Sequence, residues 1–238
     1  MSDPYKLKSV EQYGRQYVAE YLGKVRQQHQ AIMTDPLAAL AFMFGKFFMR
    51  GRRDTISVVF RDKTLELINT YKSLDDIDVS DLDARLHERG VNNRYDRRMV
   101  VASIQFARRL PTYDCNVFNW AVAAIQDAQA AEAYEVLTGI FAVRDKLATF
   151  YLRDVTLVQD IEGSIRKDDY AYFQPVDTWV ERVAESLRIV SQDDLGKRWI
   201  VKGKIIEASL AAGVSPLLFN AGAWMVGANA YRLLIERL

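Results

Sequence analysis

Almost nowhere in this chain do apolar and polar residues alternate with a period of two. That absence constrains the fold more than any other feature, because a half-buried strand needs such alternation. With 12 Gly and 5 Pro among 238 residues, the chain is also weakly punctuated, and apolar residues recur at helical spacing. The best strand candidate, Ile56-Ser57-Val58-Val59-Phe60, runs into Leu65, Leu67 and Ile68 at helical spacing and is read as helix. The expected fold class is therefore all-α. Helices are expected over Val10 to Met33, Leu37 to Arg50, Thr55 to Tyr71, Tyr95 to Leu110, Val117 to Gln129 and Ala131 to Phe141. Further helices are expected over Lys146 to Ile161, Thr178 to Ser191, Asp194 to Ala212 and from Ser215-Pro216 to Leu238. A short helix starts at Ser80-Asp81-Leu82-Asp83 and ends at Gly90. Asp35-Pro36 and Asp54 are start signals: an Asp cap, and for Pro36 a first helical residue that needs no N–H partner. Gly213 is a stop signal. Glu162 to Pro175, with Tyr170, Tyr172 and Phe173, reads as a long loop of the kind that carries function. The whole of 1–238 is expected to form one compact helical unit that can divide into two lobes with a cleft between them.

Composition removes several function classes. Lys plus Arg number 32 and Asp plus Glu 31, a net charge of +1, which excludes a polybasic tail and an acidic disordered chain but not a local basic surface. A single cysteine, Cys115, and two histidines, His29 and His87, leave no disulfide framework and almost no material for zinc or an iron–sulfur cluster. Neither a metal nor another cofactor is expected. Glycine-rich dinucleotide and phosphate loops, H-E-x-x-H, paired C-x-x-C and G-x-S-x-G are all absent. The N-terminus lacks an apolar signal core, and the longest apolar stretch, Leu37 to Met49, is interrupted by Gly45 and Lys46. That stretch is too short to span a bilayer and reads as a buried helix. The expectation is a soluble, cytoplasmic protein with no membrane partner, more often a monomer than an assembly.

The chemistry-bearing stretch is Leu137 to Val183. Lys146 falls in the first turn of a helix, where the positive end of the helix dipole disfavours an ammonium; an uncharged lysine is a nucleophile toward a sugar C1′. Asp177 stands at the start of the next helix. Thr178 and Glu181 have T-x-x-E capping-box spacing. If Thr178 caps, Asp177 is released to point into a cleft; otherwise Asp177 is itself the cap.

This stretch resembles the helix-hairpin-helix DNA glycosylase superfamily, which includes endonuclease III and the 8-oxoguanine glycosylases. Ile140-Phe141-Ala142-Val143-Arg144-Asp145-Lys146 is similar to the family's L-P-G-V-G-x-K hairpin, and Pro175-Val176-Asp177-Thr178-Trp179-Val180 to its V-D-T-H-V signature. The resemblance covers Leu137 to Val183; the remainder of the chain agrees only in being helical. It implies two helical lobes flanking a cleft, with the hairpin and catalytic region at about 131–190. It further implies Lys146 as the catalytic lysine, Asp177 as the catalytic aspartate, and double-stranded DNA with a flipped-out base as partner. A lysine at that position implies a glycosylase with AP-lyase activity. The substrate would be a damaged or modified base, an oxidised purine such as 8-oxoguanine first. Three departures matter. Ala142 and Arg144 replace the hairpin glycines whose backbone approaches a DNA phosphate, with Arg144 able to compensate by charge. Lys146 and Asp177 are 31 positions apart, longer than the family's usual spacing and closer to its archaeal 8-oxoguanine branch, which carries an insertion there. Trp179 replaces the common histidine, and one cysteine cannot hold the cluster of endonuclease III.

Asp154, two helical turns beyond Lys146, is a candidate second acid, although the pairing with a neighbouring arginine is the commoner arrangement on a helix. Phe173, Gln174, Tyr172 and Trp224 are candidates to stack on or read a flipped base; Trp120 and Trp224 also fit a core. Ala142, Arg144, Arg52 and Arg53 are candidate DNA-backbone contacts, alongside arginine clusters at Arg94, Arg97 and Arg98 and at Arg108 and Arg109. Loss of the hairpin glycines motivates an alternative, an N-glycosidase acting on a nucleoside, nucleotide or RNA. A non-catalytic nucleic-acid-binding protein on the same scaffold is a third reading.

Overall fold

A computed structural model describes residues 3–50 and 54–235. Among these every regular element is helical. Asp3 accepts from Tyr5 N and Pro4 supplies the first turn of α1 (Pro4–Tyr17), which runs through a π turn, Val18–Leu22, as far as Gln27. The single helix expected to reach Met33 is thus broken at Gln28, and a separate α2 follows (His29–Thr34). The Asp35-Pro36 signal opens α3 (Pro36–Phe47), with Leu37 N donating to Asp35 Oδ1 at 2.8 Å. This helix is apolar nearly all round and buried: Leu40, Met43, Phe44 and Phe47 are fully enclosed. The former strand candidate lies in α4 (Asp54–Ile68).

Asp78, not Ser80, caps α5 (Val79–Glu88), and Gly90 at φ +85° ends that turn. Asn93 caps α6 (Arg94–Ala107), and Asn116 caps α7 (Val117–Gln126). The chain continues through α8 (Ala130–Gly139), α9 (Asp145–Gln159), α10 (Thr178–Ser186), α11 (Arg198–Ala211) and α12 (Pro216–Ile235). The expected open loop before Pro175 is instead two 3₁₀ turns, Glu162–Ser164 and Lys167–Phe173. Phe173 and Val176 draw it inward: both are buried, in different apolar clusters.

The larger cluster is built on α3, α6, α7 and α9, around Phe44, Phe47, Phe118 and Tyr151. The smaller one joins the start of α1 to α10, α11 and α12 through Leu7, Val180, Val201, Ile205 and Phe219. Helices α1 and α12 supply side chains to both. They cross at backbone contact, and two glycines permit it. A Cβ on Gly14 would lie 2.0 Å from Leu218 O, and one on Gly222 only 1.9 Å from Val10 O. Gly227 similarly accommodates Trp179, at the start of α10. No single helix among the described residues is long and apolar enough to cross a membrane; only the bent pair of α11 with the first part of α12 matches such a span in composition.

The α1–α12 crossing supports a stability test. Gly222→Ala forces a methyl group into the Val10 carbonyl and is expected to destabilise the protein by about 3 kcal/mol, seen as a fall in Tm of about 10 °C. Gly203→Ala in α11, where a Cβ meets nothing within 4 Å, serves as control and should raise stability by up to about 1 kcal/mol.

Candidate active site

The turn between α8 and α9 places Lys146. Ala142 adopts φ +63°, the left-handed conformation that a glycine takes without strain. The chain then extends at Arg144 and enters α9, with Lys146 as the second helical residue. Asp177 is the cap of α10: its Oδ1 accepts from Trp179 N at 3.1 Å and Val180 N at 3.2 Å. Its Oδ2 lies 3.2 Å from Lys146 Nζ. Capping and facing the lysine, alternatives in the sequence, are therefore performed by different oxygens of one carboxylate. The Thr178–Glu181 capping box that the spacing allowed does not form; Glu181 instead accepts from Gly196 N at 3.1 Å. The Lys146 and Asp177 side chains are 28% and 16% exposed, enough to be reached from a cleft and too little to be bathed in solvent.

Both residues line the same cleft, of about 700 Å³, which runs between α3 and α4 on one side and α9, the start of α10, α1 and α12 on the other. Its walls are aromatic. Tyr17 stacks on Tyr21 with centroids 5.1 Å apart, and Trp224 stands edge-on to both, at 5.9 and 5.7 Å. Phe42 and Phe150 face the same space. Of the four candidate base contacts, only Trp224 lies here. Phe173 is fully buried in the larger cluster. Tyr172 packs on Tyr134 and Trp199, at 5.2 and 5.9 Å. Gln174 is fully buried with neither amide atom hydrogen-bonded. The cause is common to all three: the 3₁₀ turns fold this segment onto the core rather than over the cleft. The sequence reading missed Tyr21, Phe42, Lys46, Phe150 and Arg153. Two signals were present. Phe150 is four residues beyond Lys146, hence on the same helix face, and Lys46 is a solitary cation in an apolar helix.

Beneath the cleft lies a buried ionic network. Asp154 is fully enclosed; Oδ2 receives Tyr17 Oη at 2.8 Å and Lys46 Nζ at 2.6 Å, and Oδ1 receives Arg153 Nε and Nη2 at 2.9 and 2.8 Å. Arg153 Nη1 donates to Asn220 Oδ1 at 2.8 Å, and Asn220 Nδ2 donates to Pro175 O at 3.2 Å. The network thereby ties α1, α3, α9 and α12 to the residue two before Asp177. Burial pushes the Asp154 carboxyl up, but Arg153 and Lys46 outweigh it and hold the group below the usual carboxylate range. Burial, reinforced by Asp154, pushes the Tyr17 phenol well above its ordinary value. Asp154 is thus not among the groups lining the cleft, and its arginine pairing is the one formed.

The hairpin presents a second, shallower hollow lined by Tyr95, Phe141, Ala142 and Arg144. Tyr95 stacks on Phe141 at 5.8 Å, and the Arg98 guanidinium lies 3.9 Å over the Phe141 ring. Other arginines are engaged internally. Arg97 binds Asp83 and the Val91 and Asn92 carbonyls, Arg108 the Leu74 and Ile77 carbonyls, and Arg50 lies 3.4 Å from Asp96. Arg52 and Arg53 lie outside the described residues.

Removing the carboxylate at the centre of the network tests its role. Asp154→Asn leaves Lys46 and Arg153 without their counter-charge and is expected to cost about 3–5 kcal/mol, read by chemical denaturation at pH 7. A carboxyl held low stabilises the fold above its unfolded value of about 3.9, and that contribution is lost as pH falls through the lower folded value. The difference between wild type and variant should therefore be flat above about pH 4 and close below it.

No family model matches the chain, and neither the curated proteins nor the solved structures contain a significant match.

Proposed function

We propose that this protein is a DNA glycosylase with AP-lyase activity that excises a damaged or modified base, an oxidised purine first, from double-stranded DNA. The observation that carries the reading is the Lys146 Nζ–Asp177 Oδ2 approach of 3.2 Å at the wall of an aromatic cleft of about 700 Å³. A cleft of that size accepts a planar base turned out of the duplex, and aromatic walls stack on it. The helical elements on either side of the cleft act as the two lobes, and the hairpin with Arg144 contacts the DNA backbone.

The lysine and aspartate have complementary tasks. Asp177 takes a proton from Lys146, and the freed amine attacks C1′. The bond between C1′ and the base nitrogen breaks, its electron pair leaving with the base, which is protonated as it departs. The new C1′–N linkage loses a proton; the pair left on nitrogen opens the sugar ring, and O4′ is protonated to a hydroxyl. The product is a Schiff base, and abstraction of a C2′ proton then expels the 3′ phosphate. Asp177 is suited to the first step because its other oxygen is fixed by two backbone N–H groups, which hold the free oxygen at the lysine.

Incubation with duplex DNA carrying 8-oxoguanine or an abasic site, followed by borohydride, should yield a covalent adduct. Lys146→Gln should abolish it, and Asp177→Asn should slow its formation by about 100-fold or more. Absence of adduct and of base release across a panel of lesions sinks the reading. The hairpin supplies an independent check. Ala142→Gly relieves a left-handed alanine and is expected to stabilise the protein by about 1 kcal/mol. It should also tighten duplex binding, because the backbone can then come nearer a phosphate; unchanged duplex affinity would argue for a nucleoside or nucleotide substrate.

A further inference from the structure

Among the described residues, the two cations at the floor of the cleft meet one carboxylate between them. Lys146 pairs with Asp177 at 3.2 Å and Arg61 with Asp62 at 2.7 Å. At the floor, Lys46 and Arg153 share Asp154 alone, and the groups that complete their surroundings, Tyr17 and Asn220, are uncharged partners. Arg153 spends Nε and Nη2 on Asp154 and Nη1 on Asn220. Lys46 spends one N–H on Asp154, and the sides of its ammonium face the Phe42 and Phe150 rings at 5.0 and 5.1 Å. A cation in an apolar, largely water-excluded setting attracts an acceptor far more strongly than one in bulk water. Flanking rings make the preferred ligand planar rather than tetrahedral.

We infer that Lys46 is the specificity-determining residue of the cleft and selects a base with an oxo or anionic oxygen on its ring edge over one with an amino group there. Resting on the reading of the cleft as a base pocket, the inference narrows the substrate class to oxo-substituted bases. An exocyclic oxygen aimed at Lys46 accepts an ammonium N–H that Asp154 does not use, whereas an exocyclic amine there sets donor against donor. Sites built on such a buried polar contact reject the wrong partner strongly.

Free-base binding to the full chain, measured by calorimetry, tests this without any chemistry. Xanthine and 8-oxoguanine should bind at least about tenfold tighter than adenine, and inorganic phosphate should not displace them. Lys46→Met should abolish the preference, weakening xanthine and 8-oxoguanine without weakening adenine; its fold should persist, because Arg153 and Asp154 remain a balanced pair. Lys46→Arg should keep the preference. Equal binding of xanthine and adenine by the wild type, a preference that survives Lys46→Met, no base binding at all, or displacement by phosphate each overturns the inference. Borohydride trapping on an abasic duplex contains no base, so it reports on the lysine chemistry alone. Trapping without base preference removes this inference and spares the proposed reaction, and base preference without trapping does the reverse.

Discussion

The architecture of the cleft depends on one buried carboxylate. Asp154 collects a tyrosine, a lysine and an arginine from three helices at hydrogen-bond distance, in a place where any of those cations alone would be intolerable. Enclosing charge costs free energy that only close, well-directed partners offset. The carboxylate therefore dictates where α1, α3 and α9 sit relative to one another. Through Arg153 and Asn220 the same constraint reaches the Pro175 carbonyl, which precedes the cap of α10. The network thus ends two residues before Asp177, the residue that faces Lys146.

Glycine supplies the complementary mechanical constraint. At the α1–α12 crossing the backbones touch, since Gly14 and Gly222 have no side chain to hold them apart. The close approach brings Tyr17, Tyr21 and Trp224 together as a wall of the cleft, and Gly227 lets the start of α10 lean against the same helix. Backbone contact at one end and ionic contact at the other hold the two apolar clusters together around an open space. Close packing alone would tend to fill such a space with side chains.

Helix starts marked by Asp35-Pro36 and Ser215-Pro216 were legible because capping chemistry is local: a side chain two or three residues from an exposed N–H satisfies it wherever the helix goes. The stop at Gly213 was legible for a similar reason, its φ of +66°. Boundaries that depend on more distant packing were not. The break at Gln28 falls within an amphipathic run, and the carbonyls of Ile32 and Met33 just beyond it accept from Asn116, 84 and 83 positions later in the chain. The Glu162 to Pro175 segment looked like a loop because its local pattern is irregular, yet Phe173 is buried where a larger core needed an aromatic. At the site, Lys146 and Asp177 could be singled out as residue types at helix starts. Lys46 left a signal, a lone cation in an apolar helix, but that signal reads equally as a surface interruption until its counter-charge is known, and Arg153 sits among other charged residues of its helix.

From the sequence alone come the all-α class, most of the helices, and a lysine and an aspartate each placed at the start of a helix. These follow from periodicity and capping, which act over a few residues. Tertiary structure alone decided that the two residues meet at 3.2 Å, that Trp224 faces the cleft while Phe173 does not, and that Asp154 lies beneath the floor rather than in the site. Those outcomes depend on how charge is neutralised and backbones are brought together between segments far apart in the chain, and no local pattern of residues encodes such distances.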